Sequence, residues 1–188
     1  MDENLMKILG IVGSPRRGGN TECLVDEVLA GAQEEGAHIE KYLLNELHIN
    51  PCQACGGCHT KGECVQHDDM KNILQEMKTS HVWVLGTPVY WWGPTGQCKI
   101  FIDRWYGVQR STFSGRQVIL AIPLGGSESY ARHTVGMLTD IIEYLGMNLF
   151  ATILAPGMEN RGAVRKKVSL LATARQVGRS AVVENLGS

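Results

Sequence analysis

Short apolar runs bounded by turn residues recur along the chain and predict β-strands buried in a sheet. Between them, apolar residues spaced three and four apart predict amphipathic helices. The predicted strands are Ile8–Val12, His38–Leu44, His81–Gly86, Gln117–Ile122 and Asn148–Leu154. The predicted helices are one capped by Asn20 or Thr21 and ending near Gly36, then Met70–Met77, Thr95–Tyr106, Tyr130–Leu145 and Ala163–Arg179. This alternation predicts an α/β fold with a parallel sheet and helices on both faces.

Size and charge narrow the class of protein. The 188 residues suffice for one α/β domain spanning residues 1–188, with a cysteine-rich insertion at about 49–67. A net charge of −1 gives no electrostatic case for nucleic acid, and no basic run points to a membrane surface. The first residues are acidic rather than signal-like. We therefore expect a cytoplasmic protein with a small-molecule or protein partner, no nucleic acid and no membrane.

The segment Gly13–Thr21, called the phosphate loop below, follows the first predicted strand and is rich in glycine, hydroxyl and arginine residues. A helix start presents unpaired N–H groups and a partial positive charge, both of which favour a bound anion. The loop lacks the lysine of a nucleotide-triphosphate loop and the Gly-x-Gly-x-x-Gly dinucleotide pattern. It predicts a site for a terminal phosphomonoester, with an ordinary glycine turn as the alternative.

Two further loops open on the same edge of the predicted sheet. They are Pro88–Gly93 after the third strand and Leu124–Ser127 after the fourth. Ligands of parallel sheets lie beyond the carboxyl ends of the strands, so the three loops predict one crevice. A cofactor with a phosphate tail and a flat, hydrogen-bonding ring would fit it. Burial in the core or at a subunit contact is the alternative for the aromatic residues.

These segments, with Lys99–Arg104 and a cysteine run leading into Asp68–Met70, resemble flavodoxin-like NAD(P)H-dependent FMN reductases, and among them the iron-sulfur flavoproteins. The resemblance implies strand order 2-1-3-4-5, FMN, NAD(P)H as electron donor and a homodimer or homotetramer. It assigns the cofactor to Ser14, Arg16, Gly19, Asn20 and Thr21 at the phosphate, to Pro88, Val89, Tyr90, Trp91, Trp92 and Gly93 along the ring, and to Gly125 and Gly126 on its other side. Hydride transfer belongs to the flavin, so no catalytic side chain is expected.

Four of the six cysteines, Cys52, Cys55, Cys58 and Cys64, form C-x2-C-x2-C-x5-C. Such density lets one loop enclose a compact inorganic group, although the spacing is not that of a bacterial ferredoxin. The resemblance implies a [4Fe-4S] cluster. Zinc, with help from His59 or His67, and free or redox-active thiols remain alternatives. Cys23 and Cys98 lie on apolar helix faces and are expected in the core.

The resulting hypothesis is an FMN-dependent oxidoreductase or electron-transfer flavoprotein able to bind a [4Fe-4S] cluster. A cluster-free NAD(P)H:quinone, azo or flavin reductase and a noncatalytic flavin electron carrier are the alternatives. A basic cluster near the C-terminus is interpreted as a solvated helix face, with a role toward a nicotinamide phosphate as a second hypothesis. It comprises Arg161, Arg165, Lys166 and Lys167.

Overall fold

The computed structural model describes residues 5–186, and within them five parallel strands form one sheet in the order β2-β1-β3-β4-β5. The strands are β1 Lys7–Val12, β2 His38–Leu43, β3 Val82–Gly86, β4 Gln117–Pro123 and β5 Asn148–Ala155. The α-helices are α1 Asn20–Glu34, α2 Gly57–Lys61, α3 Met70–Thr79, α4 Gly96–Asp103, α5 Arg132–Tyr144 and α6 Val168–Leu186. The predicted flavodoxin-like order is confirmed.

Helices cover both faces of the sheet and create two hydrophobic cores. On one face, α3, α4 and α5 contribute Met70, Phe101 and Leu138 to the first core. On the other face, α1 and α6 contribute Leu24 and Ala174 to the second. The central strands β1, β3 and β4 are buried almost throughout, as expected for parallel strands covered on both sides. No helix within residues 5–186 has the length and apolarity needed to cross a membrane.

Several predicted helix boundaries were wrong because short 3₁₀ turns occupy the ends. The helix predicted over Thr95–Tyr106 ends at Asp103 and continues as a 3₁₀ turn, Arg104–Gly107. The helices predicted from Tyr130 and Ala163 instead begin after 3₁₀ turns over Glu128–Ala131 and Ala163–Lys166. Apolar spacing does not separate a 3₁₀ turn from the α-helix that it adjoins.

The cysteine segment, residues 49–67, lies between β2 and α3 and therefore follows the carboxyl end of a strand. It contains the five-residue helix α2, whose flanking residues Gly56 and Gly62 have φ angles of 71° and 76°. Positive φ is readily adopted by glycine, so these two positions let the chain reverse direction on either side of α2.

Candidate functional site

Main-chain and side-chain hydrogen bonds connect the start of the phosphate loop to β3 and α4. Gly13 N–H donates to the Gly86 carbonyl at 2.7 Å, which ties the loop to the end of β3. The Thr95 hydroxyl donates to the Gly13 carbonyl. Thr95 is the N-cap of α4, and its hydroxyl also accepts from Cys98 N–H at 3.2 Å. These hydrogen bonds fix the first residue of the loop to the end of β3 and the start of α4.

Glu22 secures the other end of the loop. Its carboxylate accepts from Gly18 N–H at 2.6 Å and from Lys41 Nζ at 3.3 Å. Burial raises the pKa of Glu22, but the hydrogen bonds from Gly18 and Lys41 outweigh it and hold that pKa below its usual value. The guanidinium of Arg17 forms ion pairs with Glu22 and Glu46, so its charge is already paired within the protein.

Asn20 has a structural task that the sequence did not reveal. Its Nδ2 donates to the carbonyls of Met158, at 3.1 Å, and Asn160, at 2.8 Å. Its Oδ1 accepts from Val164 N–H at 3.1 Å. The side chain therefore ties the start of α1 to the chain beyond β5. The N-cap of α1 is Gly19, so the capping role predicted for Asn20 or Thr21 was wrong.

A cavity of about 160 Å³, called the switch-point cavity here, opens beyond the carboxyl ends of β1, β3, β4 and β5. Eight residues predicted for the cofactor line it: Ser14, Arg16, Asn20, Thr21, Pro88, Val89, Tyr90 and Gly125. Five others predicted for the cofactor are outside its lining: Gly19, Trp91, Trp92, Gly93 and Gly126. Their roles stay predictions.

The structure adds a fourth loop that the sequence prediction missed. Met158 and Glu159 follow β5 and line the switch-point cavity. The Glu159 carboxylate accepts from Gly126 N–H at 3.1 Å, and this hydrogen bond holds the pKa of Glu159 below its usual value. The rule that loops after parallel strands share one edge applies equally to β5, and it could have identified this loop.

Trp91 and Trp92 form the tip of a tight turn beside the cavity. Tyr90 N–H donates to the Gly93 carbonyl at 2.8 Å, and Gly93 N–H donates to the Tyr90 carbonyl at 3.0 Å. Between them, Trp91 and Trp92 have φ angles of 50° and 61°. Such two-residue turns favour asparagine and glycine, and strained φ values of this kind concentrate at functional sites. Trp91 is 90% exposed.

Basic side chains from the C-terminal part of the chain reach the phosphate loop. A Cβ added to Gly18 would lie 3.5 Å from Nη2 of Arg161 and 3.6 Å from Nη2 of Arg165. These arginines lie before α6 and in the 3₁₀ turn that precedes it, so interpreting them as part of a helix face was wrong. Their position favours an anion at the loop.

All four cysteines of the motif line a second cavity, of about 360 Å³, called the cysteine cavity here. Cys52 and Cys55 are exposed, Cys58 and Cys64 are half-buried, and all four are free thiols. Within residues 5–186, no three or more His, Cys, Asp or Glu side chains are arranged to hold a metal ion. The structure thus brings the cysteines to one cavity without forming a mononuclear metal site.

A buried ion pair lies where the two ends of the cysteine segment meet. Arg104 Nη1 lies 2.5 Å from Asp68 Oδ2, and Nη2 lies 3.2 Å from Oδ1. The two side chains are 2% and 0% exposed. Asn50 N–H donates to Asp68 at 3.0 Å, and the Asn50 carbonyl accepts from Arg104 at 2.9 Å. Sequence reasoning missed this pair, because nothing in the spacing of residues 50, 68 and 104 indicates that they meet.

Comparison with known proteins now places the chain in a family. Residues 6–159 match the family described as NADPH-dependent FMN reductase. An iron-sulfur flavoprotein of Methanosarcina thermophila is 32% identical over 144 residues, covering 76% of this chain and 75% of that protein. One from Archaeoglobus fulgidus is 42% identical over 113 residues, covering 59% of this chain and 51% of its own length. The chain therefore belongs to the FMN reductase family, within its iron-sulfur flavoprotein subgroup, and spans about half the length of some relatives.

Solved structures confirm the fold. The NAD(P)H:quinone oxidoreductase of Methanothermobacter marburgensis superposes with a TM-score of 0.75 at 18% identity, covering 93% of this chain and 98% of that one. A flavodoxin from the domain Archaea superposes with a TM-score of 0.63 at 13% identity, covering 97% of this chain and all of the other. At these identities the likeness concerns the fold alone.

Proposed function

We propose that the protein is an FMN-dependent oxidoreductase that accepts electrons from NAD(P)H and carries a [4Fe-4S] cluster in the cysteine segment. The observation that supports this most directly is the switch-point cavity, where the phosphate loop meets the loops after β3, β4 and β5. Family membership supplies FMN as the cofactor. The cysteine cavity follows β2 at the same edge of the sheet.

At the phosphate end of the cavity, the chain presents hydrogen-bond donors and a positive charge to a bound phosphate. The Ser14 hydroxyl accepts from Arg16 N–H at 3.2 Å, which leaves its own O–H free to donate to a phosphate oxygen. Arg16 is exposed and lines the cavity, so its guanidinium can pair with the phosphate. The start of α1 adds a favourable dipole.

At the ring end, Pro88–Tyr90 and Leu124–Gly125 both line the cavity. Their main-chain groups can orient a ring, and Tyr90 can exclude water from it. Bound FMN would supply the hydride and electron chemistry. Glu159 sits at the same cavity as a carboxylate, which discourages a second anion from binding there.

The donor set of the cysteine cavity suits a cluster better than a single ion. Four thiols, the ligand number of a [4Fe-4S] centre, line one cavity. A four-iron cluster spaces its ligand sulfurs more widely than one ion does, which agrees with the lack of a mononuclear arrangement among the described residues. Free cysteines also agree with a reducing cytoplasm, where we place the protein.

The exposed aromatic residues support assembly into a homodimer or homotetramer. Trp91 is 90% exposed and Tyr106 is 80% exposed. Trp91 belongs to the strained turn beside the switch-point cavity, and Tyr106 lines the cysteine cavity. Aromatic side chains of this kind are enriched in protein interfaces. A second subunit, or a protein redox partner, would cover them.

The first test is purification without oxygen, followed by an absorption spectrum with iron and sulfide assays on the same sample. We expect flavin bands, broad visible absorption and about four iron atoms per chain. Flavin bands without iron would contradict the cluster assignment. They would support the second candidate function, a cluster-free NAD(P)H:quinone, azo or flavin reductase. Cys52 and Cys55 are exposed free thiols, and this exposure favours that candidate. No flavin, even with FMN added, would overturn the whole proposal.

Two variants test the sites separately. Arg16→Ala should weaken FMN binding roughly 10- to 100-fold, the equivalent of one charge-assisted hydrogen bond. Lys78→Ala removes an exposed cation on α3, away from the switch-point cavity, and serves as its control. Unchanged FMN affinity in Arg16→Ala would contradict the phosphate assignment.

Cys55→Ser should abolish iron binding and leave FMN binding intact, because Cys55 lines the cysteine cavity and is not among the residues that line the switch-point cavity. Cys23→Ser is the matched control, since Cys23 lies on α1 outside the cysteine segment. Parental iron content in Cys55→Ser would refute its assignment as a ligand.

A further inference from the structure

We propose that Arg104 is a positioning residue for the cluster and that its Nε–H donates a charged hydrogen bond to the Cys64 sulfur. The inference rests on the cluster of the proposed function and names the residue that controls its environment. The spacing of the cysteines gives no indication of a role for Arg104. Three features of its surroundings support this role: an unpartnered donor, its place in the wall of the cysteine cavity and a buried counter-charge.

The first feature is an unsatisfied donor. Arg104 is 3% exposed, and both its terminal nitrogens are committed to Asp68, with one also donating to the Asn50 carbonyl. Its Nε–H group is buried and has no hydrogen-bond partner among the described residues. A buried donor without an acceptor costs about 1–3 kcal/mol. Such a donor in a native protein calls for an acceptor.

The second feature is the position of the donor. Arg104 and Cys64 both line the cysteine cavity. Arg104 begins the 3₁₀ turn that ends at Gly107, and a Cβ added to Gly107 would lie 3.1 Å from Cys64 Cβ and 3.5 Å from Cys58 Cβ. The same turn presents the Tyr106 carbonyl 3.8 Å from Cys58 Sγ. This turn is therefore the wall against which the last two cysteines of the motif pack.

The third feature is the charge balance. Arg104 pairs with the buried carboxylate of Asp68, and an arginine guanidinium keeps its positive charge throughout the pH range in which proteins fold. Arg104 therefore remains a cation beside the cavity. Asp68 directs the guanidinium by holding its two terminal nitrogens. With that edge occupied, Nε–H is a buried donor that remains free to bind a cysteine sulfur.

A hydrogen-bond donor at this position is expected to affect the reduction potential of the cluster as well as the stability of the protein. Hydrogen bonds and positive charge at the ligand sulfurs stabilise the more negative, reduced form of an iron-sulfur cluster and raise its reduction potential. Arg104 is thus expected to make the cluster easier to reduce. A role limited to clamping the ends of the cysteine segment would leave the potential unchanged.

The experiment compares parent, Arg104→Lys and the double variant Arg104→Gln with Asp68→Asn, all purified without oxygen. Lysine keeps a charge for Asp68 but has no Nε–H, whereas the double variant removes both buried charges together. The control is Arg179→Gln with Glu34→Gln, an ion pair at 2.6 Å between α1 and α6. Each protein is assayed for iron and sulfide, for the midpoint potential of the cluster, and for unfolding of the iron-free chain.

We expect both Arg104 variants to shift the midpoint potential to more negative values, with the double variant shifted further and the control unchanged. Loss of iron with parental unfolding of the iron-free chain would also support a positioning role. Parental potentials with full iron content in both Arg104 variants would overturn the inference and leave the proposed function intact. Iron loss in proportion to the destabilisation of the iron-free chain would also overturn it, because Arg104 would then act only on the stability of the fold. A parent without iron would overturn the cluster itself and this inference with it.

Discussion

A Cβ added to Gly31 would lie 1.9 Å from the carbonyl oxygen of Arg175, so α1 and α6 approach each other backbone to backbone. The contact is repeated at Gly178, where an added Cβ would lie 1.9 Å from the Val28 carbonyl oxygen. Arg175 also pairs with Glu27 at 2.8 Å across the same two helices. This close pair supports the helix whose N-terminus completes the phosphate loop.

Gly31→Ala should therefore lower the free energy of unfolding by about 3 kcal/mol or more, because a methyl group there meets main-chain atoms that cannot move aside. Gly136→Ala is the matched control, since a Cβ on that helical glycine meets nothing within 4 Å. It should be neutral or gain about 0.5–1 kcal/mol. Urea unfolding of both variants measures the difference, and equal stabilities would show that the helices can separate without cost.

Asn20→Ala should lower the free energy of unfolding by about 2–3 kcal/mol. The substitution removes three hydrogen bonds and leaves the N–H of Val164 without its acceptor. Asn72→Ala on the exposed face of α3 should change stability by less than about 0.5 kcal/mol. If Asn20→Ala instead retained full stability and lost only FMN affinity, its main role would be that of a phosphate ligand.

The carboxylates of Glu22 and Asp68 should make the protein sensitive to acid. Burial raises the pKa of each, but hydrogen bonds, from Gly18 and Lys41 to Glu22 and from Arg104 to Asp68, leave both pKa values below the usual ones. In the acid range the unfolded chain therefore binds more protons than the folded one. Their stabilisation is complete above about pH 5, where the unfolded carboxyls are also ionised, and is lost as the pH falls through the folded pKa values.

Denaturation at a series of pH values tests this with Glu22→Gln. The variant should be about 1–3 kcal/mol less stable than the parent at pH 7, and the two should converge toward about pH 3. Glu35→Gln, at an exposed position one residue beyond α1, should follow the parental curve. If the free energy of unfolding of Glu22→Gln differed from that of the parent by the same amount at every pH, the lowered pKa of Glu22 would not be the source of the acid sensitivity.

Cys98 should resist alkylation in the folded, iron-free protein. It is fully buried, and burial raises the pKa of its thiol to about 12. At pH 8 its thiolate fraction is on the order of a thousandfold below that of an ordinary cysteine. Mass spectrometry after iodoacetamide treatment should find Cys52 and Cys55 modified and Cys98 modified only after unfolding. Modification of Cys98 at a rate similar to that of Cys52 would show that α4 opens in the native state.

Much of the fold followed from local pattern. Buried strands such as Ile8–Val12 are apolar without interruption, and this run lies within β1, Lys7–Val12. Helix ends were less predictable, because the start of α6 at Val168 depends on a turn held by Asn20, a residue far away in the chain. Burial was predicted correctly for Cys98 but not for Cys23, which is half-buried beside the phosphate loop.

For the candidate site, the sequence alone determined which segments take part, because glycine-rich loops after parallel strands must open on one edge of the sheet. It also determined the number and spacing of the cysteines. Only the tertiary structure decided which side chains meet: Asn20 with Val164, and Arg104 with Asp68. Strand and helix patterns come from neighbouring residues, whereas these contacts join residues 144 and 36 positions apart, and packing alone brings them together.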